Sequence, residues 1–448
     1  MLGRTLYNNT FTAMKQKVIV IAGTTGVGKS QLAVELATRY NGEIINSDTM
    51  QVYRDIPIVS NKHPMVERNG IPHHVMDFLP WDKEYYLHQF EIDARRAIDD
   101  IISRGKLPII VGGTHYYLQF LFDKYINTAT TKNDDDDVNH LETNSIREVA
   151  ESEQIILDSK DKNKIFNTLQ EIDPKIASRY HPNDERRVRR MLEIYFTTGN
   201  RPSELFAAQT KQLRYDTLFL WLYSDPVALD IRLDSRVDDM VKAGALAEID
   251  QLYNFYLSQP EHNDHGGVWQ VIGFKEFLPW LKDGKRNEKL WNEGVDMMKL
   301  HTRQYARRQI KWIQKMLIPD IGGDIFVLDA TDLTQWHQVV GDRASDITSI
   351  FLNIKKNDDI NKIRAPKELM HLISDEQTVG KKRGISNEDC QHFTCEICKD
   401  HDGNGLVAIG SKQWATHLKS RRHKGNLTRG SKKAAYEKWK LTQQNNTQ

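Results

Sequence analysis

The sequence predicts an α/β protein: a parallel sheet built around a phosphate-binding loop, interrupted by a helical insertion and followed by a small C-terminal Cys/His module. Three observations carry that expectation. Gly23, Gly28, Lys29 and Ser30 satisfy G-x-x-x-x-G-K-[ST] between an apolar run, Val18 to Ala22, and a stretch of helical periodicity, Gln31 to Arg39. Further apolar strand-like runs alternate with amphipathic helical ones. Near the C-terminus, Cys395-x2-Cys398 and His417-x5-His423 offer nitrogen and sulfur donors of zinc-site type.

The loop comes first because its physics is the most specific. Its glycines let successive backbone N–H groups converge on phosphate oxygens, and the following helix adds its N-terminal dipole. Gly23, Thr24, Thr25, Gly26, Val27, Gly28, Lys29 and Ser30 are therefore expected to cradle a di- or triphosphate. Lys29 supplies a point charge and Ser30 a hydroxyl for Mg²⁺. After Asn41-Gly42 the segment Glu43 to Asp48 reads as a second strand. An amphipathic helix from Leu87 to Arg104 leads to "LPIIVGGT", a buried strand ending at Gly112, Gly113 and Thr114. Strands alternating with helices give right-handed crossovers, which bring all the strand C-terminal ends to one edge. Asp48 and Thr114 should therefore flank the loop.

From about Lys124 the character changes to a charge run, "TKNDDDDVNH", and then to helical patterns. One of these helices crowds Arg186, Arg187, Arg189 and Arg190 around Val188, which suits either a solvated face or a phosphate backbone. "LFLWLY", Leu218 to Tyr223, resumes the core, followed by helices bearing Arg232 and Arg236. The layout expected is an extension at 1–17, a first core part at 18–123, the insertion at 124–200 and a second core part at 201–325. A weakly structured linker at 326–387 and a finger with basic tail at 388–440 complete it.

Composition narrows the class. With 39% apolar and 27% charged residues over 448 positions, the chain reads as soluble and globular, and no apolar run approaches a membrane span. Cys390, Cys395 and Cys398 are the only cysteines, so no disulfide framework is implied and a reducing compartment is expected. The first seventeen residues carry Arg4, Lys15 and Lys17 without an acid and include a second methionine, Met14. They read either as an organelle-targeting extension bypassed by a start at Met14 or as a plain tail.

An ordinary P-loop ATPase places an Asp at the end of the strand that here ends in Gly112-Gly113-Thr114. Asp48, in "NSDTMQVY", offers instead a carboxylate beside the phosphate site, fit for a general base; a turn or helix cap is the alternative role. His73 and His74 read as packed structural residues.

"GTTGVGKSQLA", "INSDTMQVY", "IPHHVMD", "VGGTHYYLQ", "HPNDERRVRRMLEIY", "RVDDMVKAG", "QVIGFKEF" and "TRQYARRQIKW" occur in that order between about Lys17 and Lys315. Together they resemble the tRNA dimethylallyltransferase family in its eukaryotic form. The resemblance implies transfer of a dimethylallyl group from dimethylallyl diphosphate to N6 of the adenosine 3′-adjacent to the anticodon of tRNA. It implies that Asp48 takes the amine proton, that Gln51 and Thr114 contact the flipped-out base with Thr49 and Met50 also at the tRNA, and that Lys29, Ser30 with Mg²⁺, and Arg236 stabilise the leaving diphosphate. Arg232 lies one helical turn before Arg236, and the division of that duty between the two stays open. Arg186 to Arg190, with Gln270 and Lys275, match segments that grip the anticodon stem-loop. The acidic run Asp134 to Asp137 departs from the pattern.

In the Cys/His module, eighteen residues separate Cys398 from His417, a longer gap than in DNA-reading finger arrays, so a structural zinc and structured RNA are expected. Lys412 to Lys440 holds ten Lys or Arg and one acid, Glu437, which again points to nucleic acid. A monomer in cytoplasm and nucleus, with a mitochondrial form made from the longer N-terminus, is the accompanying expectation. Two rival readings need features of their own. A nucleotide kinase would need a lid of phosphate-facing arginines and no finger, and a non-catalytic RNA-binding nucleotide switch would need a base-selective motif such as N-K-x-D, which the sequence lacks.

Overall fold

The computed structural model describes residues 15–122, 147, 149–208, 212–259, 266–353, 364–374, 390–401 and 403–429. The run at Asp134 to Asp137 and the extension through Met14 lie outside them. The chain divides into two compact units, Met1–Ile126 with Thr210–Lys381, and Asn127–Gln209 with Lys382–Gln448.

The first unit is built on six parallel strands in the order β3-β2-β4-β1-β5-β6. They are β1 Lys17–Gly23, β2 Gly42–Asn46, β3 His73–His74, β4 Leu107–Val111, β5 Asp216–Tyr223 and β6 Phe326–Asp329. The inner strands are continuous apolar runs because both sheet faces are covered. Side chains alternate: Val18, Val20 and Ala22 enter one core with Phe90, Ala94 and Ile98 of α2 (Leu87–Ser103). Ile19 and Ile21 enter the other with Leu32, Ala33 and Leu36 of α1 (Lys29–Arg39). The chain leaves central β1 for one side, returns at β4, and continues to β5 on the other. A parallel sheet opens a crevice at such a reversal, at the C-terminal ends of its strands.

Beyond β5 come α3 (Pro226–Lys242), α4 (Ala245–Ser258), α5 (Phe274–Lys282), α6 (Glu288–Trp312) and α7 (Arg343–Phe351). A separate core forms among α3 to α6 from Val237, Ile249, Trp269, Phe274, Phe277 and Met298. Lys299, Arg303 and Arg307 of α6 pair with Asp238, Asp234 and Asp230 of α3, the Lys299–Asp238 pair at 2.7 Å. These three basic residues thus hold two helices in register. The expected linker at 326–387 needs correction, since it contains β6 and α7. β6 pairs with β5 from Leu220↔Phe326 to Tyr223↔Asp329. A four-residue edge strand is too short to show a period.

The second unit packs helices Glu151–Leu157, Lys162–Ile172 and Glu185–Thr198 around Ile165, Phe166, Leu169, Val188 and Leu192. The same unit holds the hairpin β7 (His392–Lys399) and β8 (Gly405–Ile409), followed by helix Ser411–Lys419. The hairpin sits directly on the helices. His392 Nε2 donates to Ser178 O at 3.0 Å, His181 Nε2 to Val407 O at 3.2 Å, and Asn183 Nδ2 to Asp400 Oδ2 at 3.2 Å. The His392 ring also stacks on Phe166. The expected separate finger is therefore part of one folded unit with the insertion.

Candidate active site and metal centre

The sheet ends β1 at Gly23, and the loop then turns through Gly26 and Gly28 at φ of 83° and 90°, the left-handed region that glycine adopts without strain. A Cβ on Gly28 would also lie 2.6 Å from the ring of Trp336, which donates Nε1–H to Glu35 at 2.9 Å. Lys29 opens α1 and donates Nζ–H to Thr24 O at 2.6 Å. Burial pulls its ammonium down to about 8, Asp48 opposes that, and Arg236 adds to it. Thr24 Oγ1 is buried with no hydrogen-bond partner among the described residues, and Ser30 lines the cleft.

β2 ends at Asn46, whose amide shapes the next turn. Asn46 Oδ1 accepts from Asp48 N at 3.1 Å, and its Nδ2 donates to Asp48 O at 3.1 Å and Val75 O at 2.9 Å. Asp48 Oδ1 accepts from Met50 N at 3.0 Å. Burial holds the Asp48 carboxyl above its ordinary range, against the lowering pull of Met50 N–H and of Lys29. Thr114 Oγ1 accepts from Thr49 N at 3.1 Å, which ties the end of β4 to this turn. The glycines between them have a steric reason: a Cβ on Gly112 would fall 2.1 Å from Ser47 O, and one on Gly113 3.1 Å from Asp48 Oδ2.

Arg236 reaches the same cleft from α3. Burial lowers its guanidinium to about 10 while Asp48 opposes the shift, and its buried Nε has no partner among the described residues. The cleft, of about 310 Å³, is bounded by Lys29, Ser30, Gln51, Gly113, Arg236 and the segment Ser60 to Pro64. Lys29 and Arg236 thus face a space large enough for a small diphosphate, and the Asp48 carboxyl lies near enough to act electrostatically on both. Arg232 does not share that position. Its guanidinium donates to Gly26 O, Ala330 O and Thr331 O at 3.3, 3.1 and 3.0 Å, bracing the loop. One more expectation needs correction: Thr25 N–H is donated to Gln309 Oε1 at 2.8 Å and so is not free for phosphate. The Val27 side chain is core, so its expected part in the loop is that of its backbone N–H.

Sequence reading missed two groups here. Gln309 was hidden in a basic helical motif. His115, 3% exposed, accepts from Gly23 N at 3.2 Å, and burial, with Lys29 nearby, keeps its imidazole neutral down to about 3. His73 Nδ1 meets Ile71 O at 2.8 Å, while its ring lines the cleft with a buried Nε2 that has no partner among the described residues; His74 shares the buried Glu43 with Arg104 and Lys106.

A family model described as IPP transferase matches residues 51–316. The tRNA dimethylallyltransferase of Saccharomyces cerevisiae is 54% identical over 433 residues, 96% of each chain. The chain belongs to the IPP transferase family. The tRNA dimethylallyltransferase of Schizosaccharomyces pombe is 36% identical over 94% of this chain and 97% of its own. A solved structure described as crystallographic snapshots of a eukaryotic dimethylallyltransferase acting on tRNA superposes with a TM-score of 0.84. It is 53% identical and covers 95% of this chain and 100% of that one.

In this chain the residues expected at tRNA divide by environment. Gln270 and Lys275 are exposed. On helix Glu185–Thr198, Arg186 is exposed, Arg187 pairs with Asp184 over the Tyr180 ring, Arg189 pairs with Glu185, and Arg190 meets Glu193 at 2.9 Å. Val188 is fully buried and cannot touch RNA, a correction that follows from helical geometry: it is the inward position between two outward pairs. Gln51 Nε2 donates to Asn61 O at 3.1 Å, which fixes its amide at the cleft wall. Among the described residues no helix is long and apolar enough to cross a membrane.

The Cys/His module brings donors from Cys395, Cys398, His417 and His423 within 4.8 Å of one another. Cys395 Sγ and Cys398 Sγ lie 3.5 and 3.6 Å from His423 Nδ1, and His417 Nε2 is buried without a partner among the described residues. A tetrahedral zinc, with Zn–S of about 2.3 Å and Zn–N of about 2.0 Å, has ligand-to-ligand edges of about 3.3–3.8 Å. The set fits a metal ion of that kind.

Proposed function

We propose that this protein transfers the dimethylallyl group of dimethylallyl diphosphate to N6 of the adenosine 3′-adjacent to the anticodon of tRNA. The observation that carries the reading is the convergence of Lys29 and Arg236, with its unpartnered Nε, on one cleft beside the phosphate loop, with the Asp48 carboxyl near enough to act electrostatically on both. The flipped adenine enters between Gln51 and Thr114. N6 attacks the carbon bearing the diphosphate, its proton passes to the Asp48 carboxylate, and the carbon–oxygen electron pair leaves with the diphosphate. Lys29, Arg236 and the loop amides other than that of Thr25 take up the negative charge as it develops. Ser30 would hold Mg²⁺, which supplies Lewis-acid stabilisation of the diphosphate when bound. His115 and Arg232 hold the loop in shape.

Cys395, Cys398, His417 and His423 would hold zinc, which would fix the hairpin when bound, while Lys412, Lys419, Arg421 and Lys424 offer positive charge to RNA phosphates. The exposed Arg186, Gln270 and Lys275 make further tRNA contacts. The test is incubation with radiolabelled dimethylallyl diphosphate and bulk tRNA, followed by nucleoside analysis. Label in N6-isopentenyladenosine is the expected result; label released only as free alcohol, or phosphate transferred from ATP to a nucleoside, counts against the reading.

A further inference from the structure

Gln309 lies on the last turn of α6, is 3% exposed, and bonds to two walls of the cleft that come from different strands. Its Oε1 accepts from Thr25 N at 2.8 Å, and its Nε2 donates to Gly113 O at 2.8 Å. One helical turn earlier, Tyr305 OH also donates to Gly113 O, at 3.3 Å. Strand pairing between β1 and β4 runs only as far as Ile21↔Val111. Past that point the loop carrying Lys29 and the turn carrying Asp48 leave the ladder. Gly113 precedes Thr114, which is bonded to Thr49 beside Asp48, so the Gln309 amide spans from the donor wall to the base wall.

We propose that Gln309 is a positioning residue that sets the distance between the diphosphate loop and Asp48, with Tyr305 as its support. The inference rests on the transfer reading above and deepens it. The chemistry selects the residue type. One end must accept from an N–H and the other must donate to a carbonyl, and a primary amide does both at once. A carboxylate would turn an acceptor toward Gly113 O, and an apolar side chain would leave Thr25 N and Gly113 O without that partner. A displacement of about 1 Å between reacting groups costs on the order of a hundredfold in rate, even when both substrates still bind.

The test uses the full chain carrying Gln309→Met, which keeps length and volume, with Gln309→Glu, which keeps only the acceptor. Both should lower kcat by about 10–100-fold with KM for tRNA within about threefold of the parent. Hydrogen exchange of the peptide containing Thr25 should rise in the Met variant, with β1 and β4 peptides unchanged. A Met variant with kcat within about twofold of the parent, or with unaltered exchange at Thr25, overturns the clamp. The parent chain separates the two readings: if it transfers no prenyl group the function fails, while the exchange result still judges the clamp. If the Met variant does not fold, Gln309→Glu is the deciding variant by the kcat criterion alone, since it keeps the acceptor for Thr25 N–H.

Discussion

At the scale of single residues, the cleft depends on charges whose titration is displaced in opposite directions. Burial holds Asp48 protonated to a higher pH than an ordinary carboxyl, and it releases the Lys29 proton at about 8. The base must be ionised, so kcat/KM for the donor should fall as pH drops through the raised Asp48 pKa. The cation must be charged, so it should fall again as pH rises through about 8. An acid limb at or below the usual carboxyl value of about 4 would remove Asp48 from the role. Lys29→Ala and Arg236→Ala should weaken donor binding and slow diphosphate departure; unchanged donor affinity together with an unchanged single-turnover rate would displace both from the diphosphate. Lys29, Asp48 and Thr114 were legible because their spacing encodes a loop and two strand ends. Gln309 and His115 were not, because each acts through a backbone group distant in sequence, Thr25 for one and Gly23 for the other.

At the scale of elements, what the sequence conveyed depended on length and period. β1, β4, β5 and α2 announced themselves as long apolar or amphipathic runs, whereas two-residue β3 and four-residue β6 could be recognised only by their pairing. The turn after β4 is tightly constrained, since Cβ atoms on Gly112 and Gly113 would strike Ser47, Gln309 and Asp48. Gly113→Ala should therefore cut turnover by at least about tenfold with little change in melting temperature, because the strain falls on the catalytic turn and not on the core. Turnover equal to the parent would show that the turn has slack. On helix Glu185–Thr198 the four arginines are unequal. Arg186→Ala should reduce tRNA affinity and lower the salt slope by about 0.7–0.9 for each phosphate no longer neutralised, whereas Arg189→Ala should act mainly on stability. Equal binding losses from the two would argue for a uniformly RNA-facing helix.

At the scale of the molecule, the division into two units places the donor chemistry wholly in one and the Cys/His module in the other. The motifs of each unit could be read from the chain but their grouping could not, because the His392, His181 and Asn183 hydrogen bonds join segments more than two hundred residues apart. Cys395→Ser with Cys398→Ser should weaken tRNA binding and flatten its salt dependence, and should also lower the melting temperature of the insertion helices the hairpin rests on. Single-turnover transfer at saturating tRNA should survive. An unaltered salt titration, or a chemically dead variant when saturated with tRNA, would contradict this division of labour.

In the proposed transfer one cleft holds the leaving diphosphate and the attacking amine, with the Asp48 carboxyl beside it as the base. The most direct test is the single-turnover rate of Asp48→Asn at saturating tRNA and dimethylallyl diphosphate, measured beside equilibrium tRNA binding. Loss of a general base predicts a rate lower by at least about a hundredfold with tRNA affinity unchanged. A rate within a few-fold of the parent would contradict the claim and leave Asp48 as a residue of the turn alone.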